Sequence, residues 1–147
     1  MSTSTDSMAA DATPEQLVAH FSARLRAETD PSDVYAAQRA GEPFVLVDVR
    51  GDEAWAQGRA RGAIHMHHSQ IQEQAPKEVP PGTAVVVYCW SPGCNAAQKG
   101  ALAFARLGYR VREMIGGFEY WAREGYPVET DTGRVAFPAD PTVGVVS

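Results

Sequence analysis

Ala84-Val85-Val86-Val87-Tyr88-Cys89-Trp90-Ser91-Pro92-Gly93-Cys94-Asn95 is the stretch whose reading decides the architecture. Ala84 to Tyr88 form a short continuous run of mostly β-branched residues, the pattern of a strand buried on both faces of a parallel sheet. Cys89 follows, Pro92-Gly93 marks a turn, and Asn95 is a good N-cap for a helix over residues 96–107. A cysteine in that order stands at the carboxyl edge of a sheet, where α/β proteins place their ligands. It also faces a helix N-terminus, whose free N–H groups and positive dipole end favour a thiolate and a bound anion. The competing reading is a buried cysteine that only ends a strand.

Upstream, residues 1–12 are small, polar and acidic, and are expected to form a disordered tail. Thr13-Pro14-Glu15-Gln16 has the form of a capping box with proline in the first turn. Leu17, Val18, Phe21 and Leu25 follow at helical spacing, so this helix is expected to pack an apolar stripe on the domain. Asp30-Pro31 opens a second helix running to Arg39, stopped by Gly41. Phe44 to Val49 read as a buried strand followed by Arg50, Asp52 to Gln57 as a short helix, and Ala63 to Met66 as a brief strand. Residues 68–83 are polar and proline-rich, which predicts a long connection with about one helical turn. Downstream, Tyr109 to Met114 read as a strand and Phe118 to Glu124 as a helix closed by Gly125 and Pro127. From residue 130 onward an irregular C-terminal tail is expected. Strands alternating with helices give an α/β fold with a central, mainly parallel sheet of about five strands flanked by helices.

The chain has 147 residues, 44% hydrophobic and 21% charged, which fits one domain with its own core. A net charge of −5 argues against nucleic acid as partner, which requires clustered Lys and Arg. No apolar run approaches a membrane span, and the N-terminus lacks the basic and apolar regions of a secretory signal. Two cysteines in one loop do not frame a disulfide scaffold, so a reducing cytoplasm is the default expectation. His65-Met66-His67-His68 lacks the spacing of a zinc quartet, and no metal site is assigned to it.

Four segments in register, over residues 44–129, resemble a rhodanese homology domain. Val45-Leu46-Val47-Asp48-Val49-Arg50 is similar to the family's strand ending in Asp-x-Arg. Gly58 to Ile64 are similar to its Gly-His-Ile-x-Gly-Ala segment, with Arg59 in place of the histidine. Val86-Val87-Tyr88-Cys89 is similar to the strand that delivers its nucleophile. Gly116-Gly117 through Trp121, then Gly125-Tyr126-Pro127-Val128, are similar to its closing Gly-Gly-x-x-x-Trp and Gly-x-Pro-Val. With the N-terminal helices over 13–40, of which the one over 13–27 lies outside the usual domain of the family, the expected rhodanese-like domain spans 13–129.

It also implies a sulfurtransferase. Cys89 would take sulfane sulfur from a small anion such as thiosulfate, or from a polysulfide or persulfide, as a persulfide. A thiol, cyanide or a protein would then accept the outer sulfur, and no cofactor is implied. The amides of Trp90, Ser91, Gly93, Cys94 and Asn95 are the candidate anion cradle, Pro92 having no N–H to give. Two departures stand out. The loop is about two residues longer than the family's Cys-x-x-Gly-x-Arg, and no Arg or Lys lies between Cys89 and Lys99. Cys94 and Asn95 occupy the place of the basic residue, making Cys94 a candidate redox partner of Cys89. A wider, cation-free loop weakens recognition of a dianion. Arg59 and Arg61 are the nearest candidates to restore positive charge. The alternatives are a cysteine-dependent phosphatase or arsenate reductase of the same superfamily, or a non-catalytic module that carries sulfur or binds a partner.

Overall fold

The computed structural model describes residues 8, 9 and 11–146, so most of the expected N-terminal tail lies outside the described residues. Helix α1 (Pro14–Ala27) begins at Thr13, whose side chain and that of Gln16 close a reciprocal capping box. Strand β1 (Glu28–Thr29) and helix α2 (Pro31–Arg39) follow, the latter capped by the Asp30 carboxylate on the Asp33 amide at 2.9 Å. Next come β2 (Val45–Asp48), α3 (Asp52–Gln57), β3 (Arg59–Ala60), β4 (Ile64–His65) and α4 (Ile71–Glu78). The chain continues through β5 (Ala84–Tyr88), α5 (Ala96–Arg106), β6 (Arg110–Met114), α6 (Gly117–Arg123), β7 (Val128–Thr130) and β8 (Gly133–Val135).

Five strands form the central sheet in the order β1-β6-β5-β2-β4, every pairing parallel. Alternation along its strands splits the core into two layers. Val47, Val49, Val85, Val87 and Cys89 face α4 and α5, where Phe104 is fully buried. Leu46, Val86 and Tyr88 face the opposite way, toward Val34 of α2 and Trp121 of α6. Cys89 therefore projects to the α5 side because it is in phase with Val85 and Val87. Helix α5 crosses the sheet closely at Gly100, where an added Cβ would meet Val49 at 2.9 Å.

Three expectations need correction. Residues 68–83 are not one loose connection: a 3₁₀ turn at His68–Gln70 leads into the two-turn α4. Ile71, Ala75 and Val79 recur every four residues and are buried, a stripe masked by the polar residues between them. The region after 130 is not wholly irregular, since β7 and β8 make a hairpin that joins β3 in a second, antiparallel sheet. Beyond it, Asp140 docks on α6 through the Arg123 carbonyl at 2.7 Å and the Arg123 guanidinium at 2.9 Å. The apolar stripe of α1 is not packed, with Val18 68%, Phe21 52% and Leu25 75% exposed.

Asp48 and Arg50 hold the end of β2 to its surroundings. Both are buried, and the Asp48 carboxylate accepts from the Arg50 backbone N–H at 2.9 Å and from its guanidinium at 2.7–3.1 Å. It also accepts from the Tyr88 hydroxyl at 2.7 Å, which in turn accepts from the Ala60 amide at 3.0 Å. Burial, then the neighbouring Asp48 charge, push the Tyr88 phenol well above its ordinary value, so it remains a donor. Removing one partner of a buried ion pair strands the other charge. Asp48→Ala is accordingly expected to lower stability by about 3–5 kcal/mol, read from urea unfolding.

Candidate active site

Cys89 ends β5 with 3% of its surface exposed, and the loop after it is shaped from the α6 side. The first amides of α6 reach back to it: Phe118 N–H donates to the Cys89 carbonyl and Glu119 N–H to the Trp90 carbonyl, both at 2.8 Å. In a trans peptide the N–H points opposite to the C=O, so the Trp90 and Ser91 amides are turned away from α6. That approach requires glycine at 117. Its φ is +64°, and an added Cβ would lie 2.7 Å from the Cys89 carbonyl oxygen. The neighbouring Gly116 also has positive φ, so both glycines serve the tight entry into α6.

Among the described residues, the amides of Trp90, Ser91, Gly93 and Asn95 donate to no acceptor. The Cys94 amide differs from this set: it donates to the Ser91 carbonyl at 3.0 Å and closes a turn inside the loop. Asn95 occupies the N-cap of α5, but its side chain makes no capping bond. The first N–H groups of α5 thus remain free beside the loop. Cys94 reaches the same place with its side chain. Its sulfur is bonded to that of Cys89, with the Cα atoms 6.4 Å apart, so the loop is in its disulfide form.

Cys89 and Cys94 line a pocket of about 220 Å³ together with Arg24, Glu28 and Glu113. The charged residues were not anticipated at the site. Arg24 comes from α1 and Glu28 from β1, which pairs with β6 so that Glu28 stands directly opposite Glu113. Arg24 holds Glu28 at 3.2 Å across one helical turn. Partial burial, then the Glu28 charge, raise the Glu113 carboxyl above its ordinary value, while a Gln98 hydrogen bond and Arg24 oppose the shift. The β1–β6 register that collects these groups has no sequence signal of its own, because β1 is only two residues long.

Arg59 and Arg61 do not contribute. Arg59 stacks on Trp55 at 4.6 Å and pairs with Asp131 at 2.7 Å, and Arg61 lines a separate cavity with Tyr35 and Gln38. His65 meets the Arg50 carbonyl at 2.7 Å and stacks on Trp55, whereas His67 caps the 3₁₀ turn at the Ser69 amide. The Trp90 side chain is partly exposed. It lies against the Arg50 guanidinium at 4.3 Å and edge-on to Phe118, lining an adjoining groove of about 600 Å³ with Phe137.

The family model for the rhodanese-like domain matches residues 30–124. The chain belongs to the rhodanese-like family. It is 36% identical over 97 residues to the thiosulfate sulfurtransferase GlpE of Actinobacillus succinogenes, covering 63% of this chain and 81% of that protein. The GlpE of Pseudomonas entomophila is 35% identical over 97 residues, covering 63% and 83%. Among solved structures, a Bacillus halodurans protein superposes with a TM-score of 0.76 at 38% identity, over 82% of this chain and 89% of that one. A Lactobacillus plantarum protein superposes with a TM-score of 0.72 at 27% identity, over 80% and 99%. Arg24 and Glu28 precede the segment that the family model matches, so this rhodanese-like domain completes its pocket with residues from outside it.

Because folding favours the protonated form of Glu113, the stability this group lends is present below the ordinary carboxylate range. It is lost as pH rises through the elevated value. Glu113→Gln is expected to flatten that loss and to raise Tm at neutral pH, measured by thermal unfolding across the acid-to-neutral range.

Proposed function

We propose that this chain is a sulfurtransferase that moves sulfane sulfur from a small anionic donor to a thiophilic acceptor through a persulfide on Cys89. The observation that carries the reading is the position of Cys89 at the end of β5, beside the free first turn of α5 and the unspent loop amides. In the reduced protein, the helix dipole and those amides lower the cost of the Cys89 thiolate. The thiolate attacks the outer sulfur of thiosulfate, the sulfur–sulfur bond breaks, and sulfite leaves with the electron pair. The Cys89 persulfide anion is then held by the Trp90, Ser91, Gly93 and Asn95 amides until a thiol, cyanide or a protein nucleophile removes its outer sulfur. The chemistry uses only this chain's own sulfur and amides. The names of the GlpE relatives support the same reaction class.

Charge bears on the donor. The pocket holds one guanidinium, Arg24, against the carboxyl groups of Glu28 and Glu113. That balance is poor for a dianion such as thiosulfate and better for a small persulfide, whose sulfane group carries at most one negative charge. The phosphatase or arsenate reductase alternative demands more cation than this pocket has, since its substrates are tetrahedral oxyanions.

The test is intact-mass analysis of the reduced protein after exposure to thiosulfate and, separately, to inorganic polysulfide. Cys89→Ser is expected to abolish any added sulfur from either donor and any thiocyanate formed with cyanide. Addition of sulfur to Cys89→Ser equal to that of Cys94→Ser, or thiocyanate formation by Cys89→Ser equal to that of the natural sequence, would sink the reading. In steady-state assays, Arg24→Ala is expected to raise KM for thiosulfate several-fold with little change in kcat, and Glu113→Gln to lower it.

A further inference from the structure

The chain has two cysteines, both are in the active-site loop, and the structure joins them. Three features place Cys94 to react rather than to fill space. Its backbone N–H is bonded to the Ser91 carbonyl, so the turn that carries it is closed and aimed back at Cys89. Its Cα lies 6.4 Å from that of Cys89, inside the range that a disulfide spans. It opens on the same pocket as Cys89, so whatever loads Cys89 does so beside a second thiol.

We propose that Cys94 is a resolving thiol that releases the sulfur carried on Cys89 as sulfide, so that the protein is also a dithiol-dependent reductase of sulfane sulfur. This rests on the Cys89 persulfide reading. The Cys94 thiolate attacks Sγ of Cys89, the inner sulfur of the persulfide. The bond from that Sγ to the outer sulfur breaks, and the outer sulfur leaves with the electron pair and takes up a proton as hydrosulfide. The Cys89–Cys94 disulfide forms in the same step, so two thiol sulfurs are oxidised and one sulfane sulfur is reduced. A dithiol, small or carried by a protein, then attacks Sγ of Cys94, the less buried of the two residues, and expels the Cys89 thiolate into its amide cradle. A second thiolate of the dithiol completes its own disulfide and frees Cys94. Summed, thiosulfate and a dithiol give sulfite, hydrogen sulfide and a disulfide.

The two fates of the persulfide differ in which sulfur is attacked. An external acceptor takes the outer sulfur and must enter the pocket, whereas Cys94 takes the inner one without leaving its turn. Reaction within one loop has the advantage of a high effective concentration. Sulfide release is therefore the default outcome, and transfer prevails only when an acceptor is present in quantity.

The experiment uses full-length protein reduced with dithiothreitol, freed of reductant, and treated anaerobically with thiosulfate or inorganic polysulfide. Intact mass is read in both arms and released sulfide in the thiosulfate arm. The natural sequence is expected to release one sulfide per chain and to end two hydrogens lighter, with no sulfur retained. Cys94→Ser and Cys94→Ala are expected to retain one added sulfur, to release no sulfide, and to give several-fold more thiocyanate when cyanide follows. Natural protein that keeps its added sulfur as stably as the variants and releases no sulfide overturns the resolving role while leaving the transferase reading intact. Folded Cys94 variants that take up no sulfur from either donor overturn both. The natural-sequence measurement decides the resolving step by itself should a variant fail to fold.

Discussion

The buried pair of Asp48 and Arg50 is the interaction on which the catalytic edge of this domain depends. Two charges removed from water are tolerated only when hydrogen bonds fill their remaining sites. Here those bonds come from separate parts of the chain. Asp48 accepts from Tyr88 at the end of β5, Tyr88 accepts from the amide of Ala60 in β3, and Arg50 reaches the carbonyl of Gly58. The ends of β2 and β5 are thereby locked in register beside the small antiparallel sheet. One guanidinium nitrogen, Nη1 of Arg50, has no hydrogen-bond partner among the described residues, and the guanidinium is covered instead by the faces of Trp90 and Phe118. Trp90 is the first residue of the active-site loop and Phe118 opens α6. The ion pair therefore extends from the sheet to both walls of the catalytic loop.

From that fixed edge the loop is held by two opposed sets of backbone dipoles. The amides of α6 take the carbonyls of Cys89 and Trp90, and the peptide planes then turn their own N–H groups the other way. Helix α5 supplies the second set, its free first-turn amides approaching the sulfur from the other side. Neither set depends on a charged side chain. A cradle made of amides alone offers an anion several hydrogen-bond donors without a formal positive charge.

Much of this was legible in the sequence, for identifiable reasons. The runs at 44–49 and 84–88 read as buried strands because a strand covered on both faces shows apolar residues without alternation. The capping box at Thr13 and the cap at Asp30 are local chemistry, and both formed as written. What escaped reading is non-local. Strand β1 has two residues, Glu28 and Thr29, with no apolar signal, and exists only because β6 offers an edge. Helix α4 carries its apolar residues four apart among Gln, Glu and Lys, which hides them from a reading by composition. The role of Arg50 in holding Trp90 depends on a contact across 40 residues, which spacing does not reveal. The spent amide of Cys94 is a matter of how a turn closes, and only coordinates report it.

The extension at the N-terminus and the second cysteine answer the same deficit. The loop from Cys89 to Asn95 carries no cation of its own. Helix α1 and strand β1 bring Arg24 to the pocket mouth, but they bring Glu28 with it, opposite Glu113, so the added positive charge is offset by acidic neighbours. Electrostatic attraction for a donor is thereby kept modest. Cys94 lines the same pocket and adds a second sulfur beside Cys89. On the proposed persulfide reading, a thiol at that place rather than a cation would favour processing the sulfur already bound over gripping its donor. A pocket with little net positive charge and two sulfurs within bonding distance would, on that reading, control what leaves Cys89 rather than what arrives there.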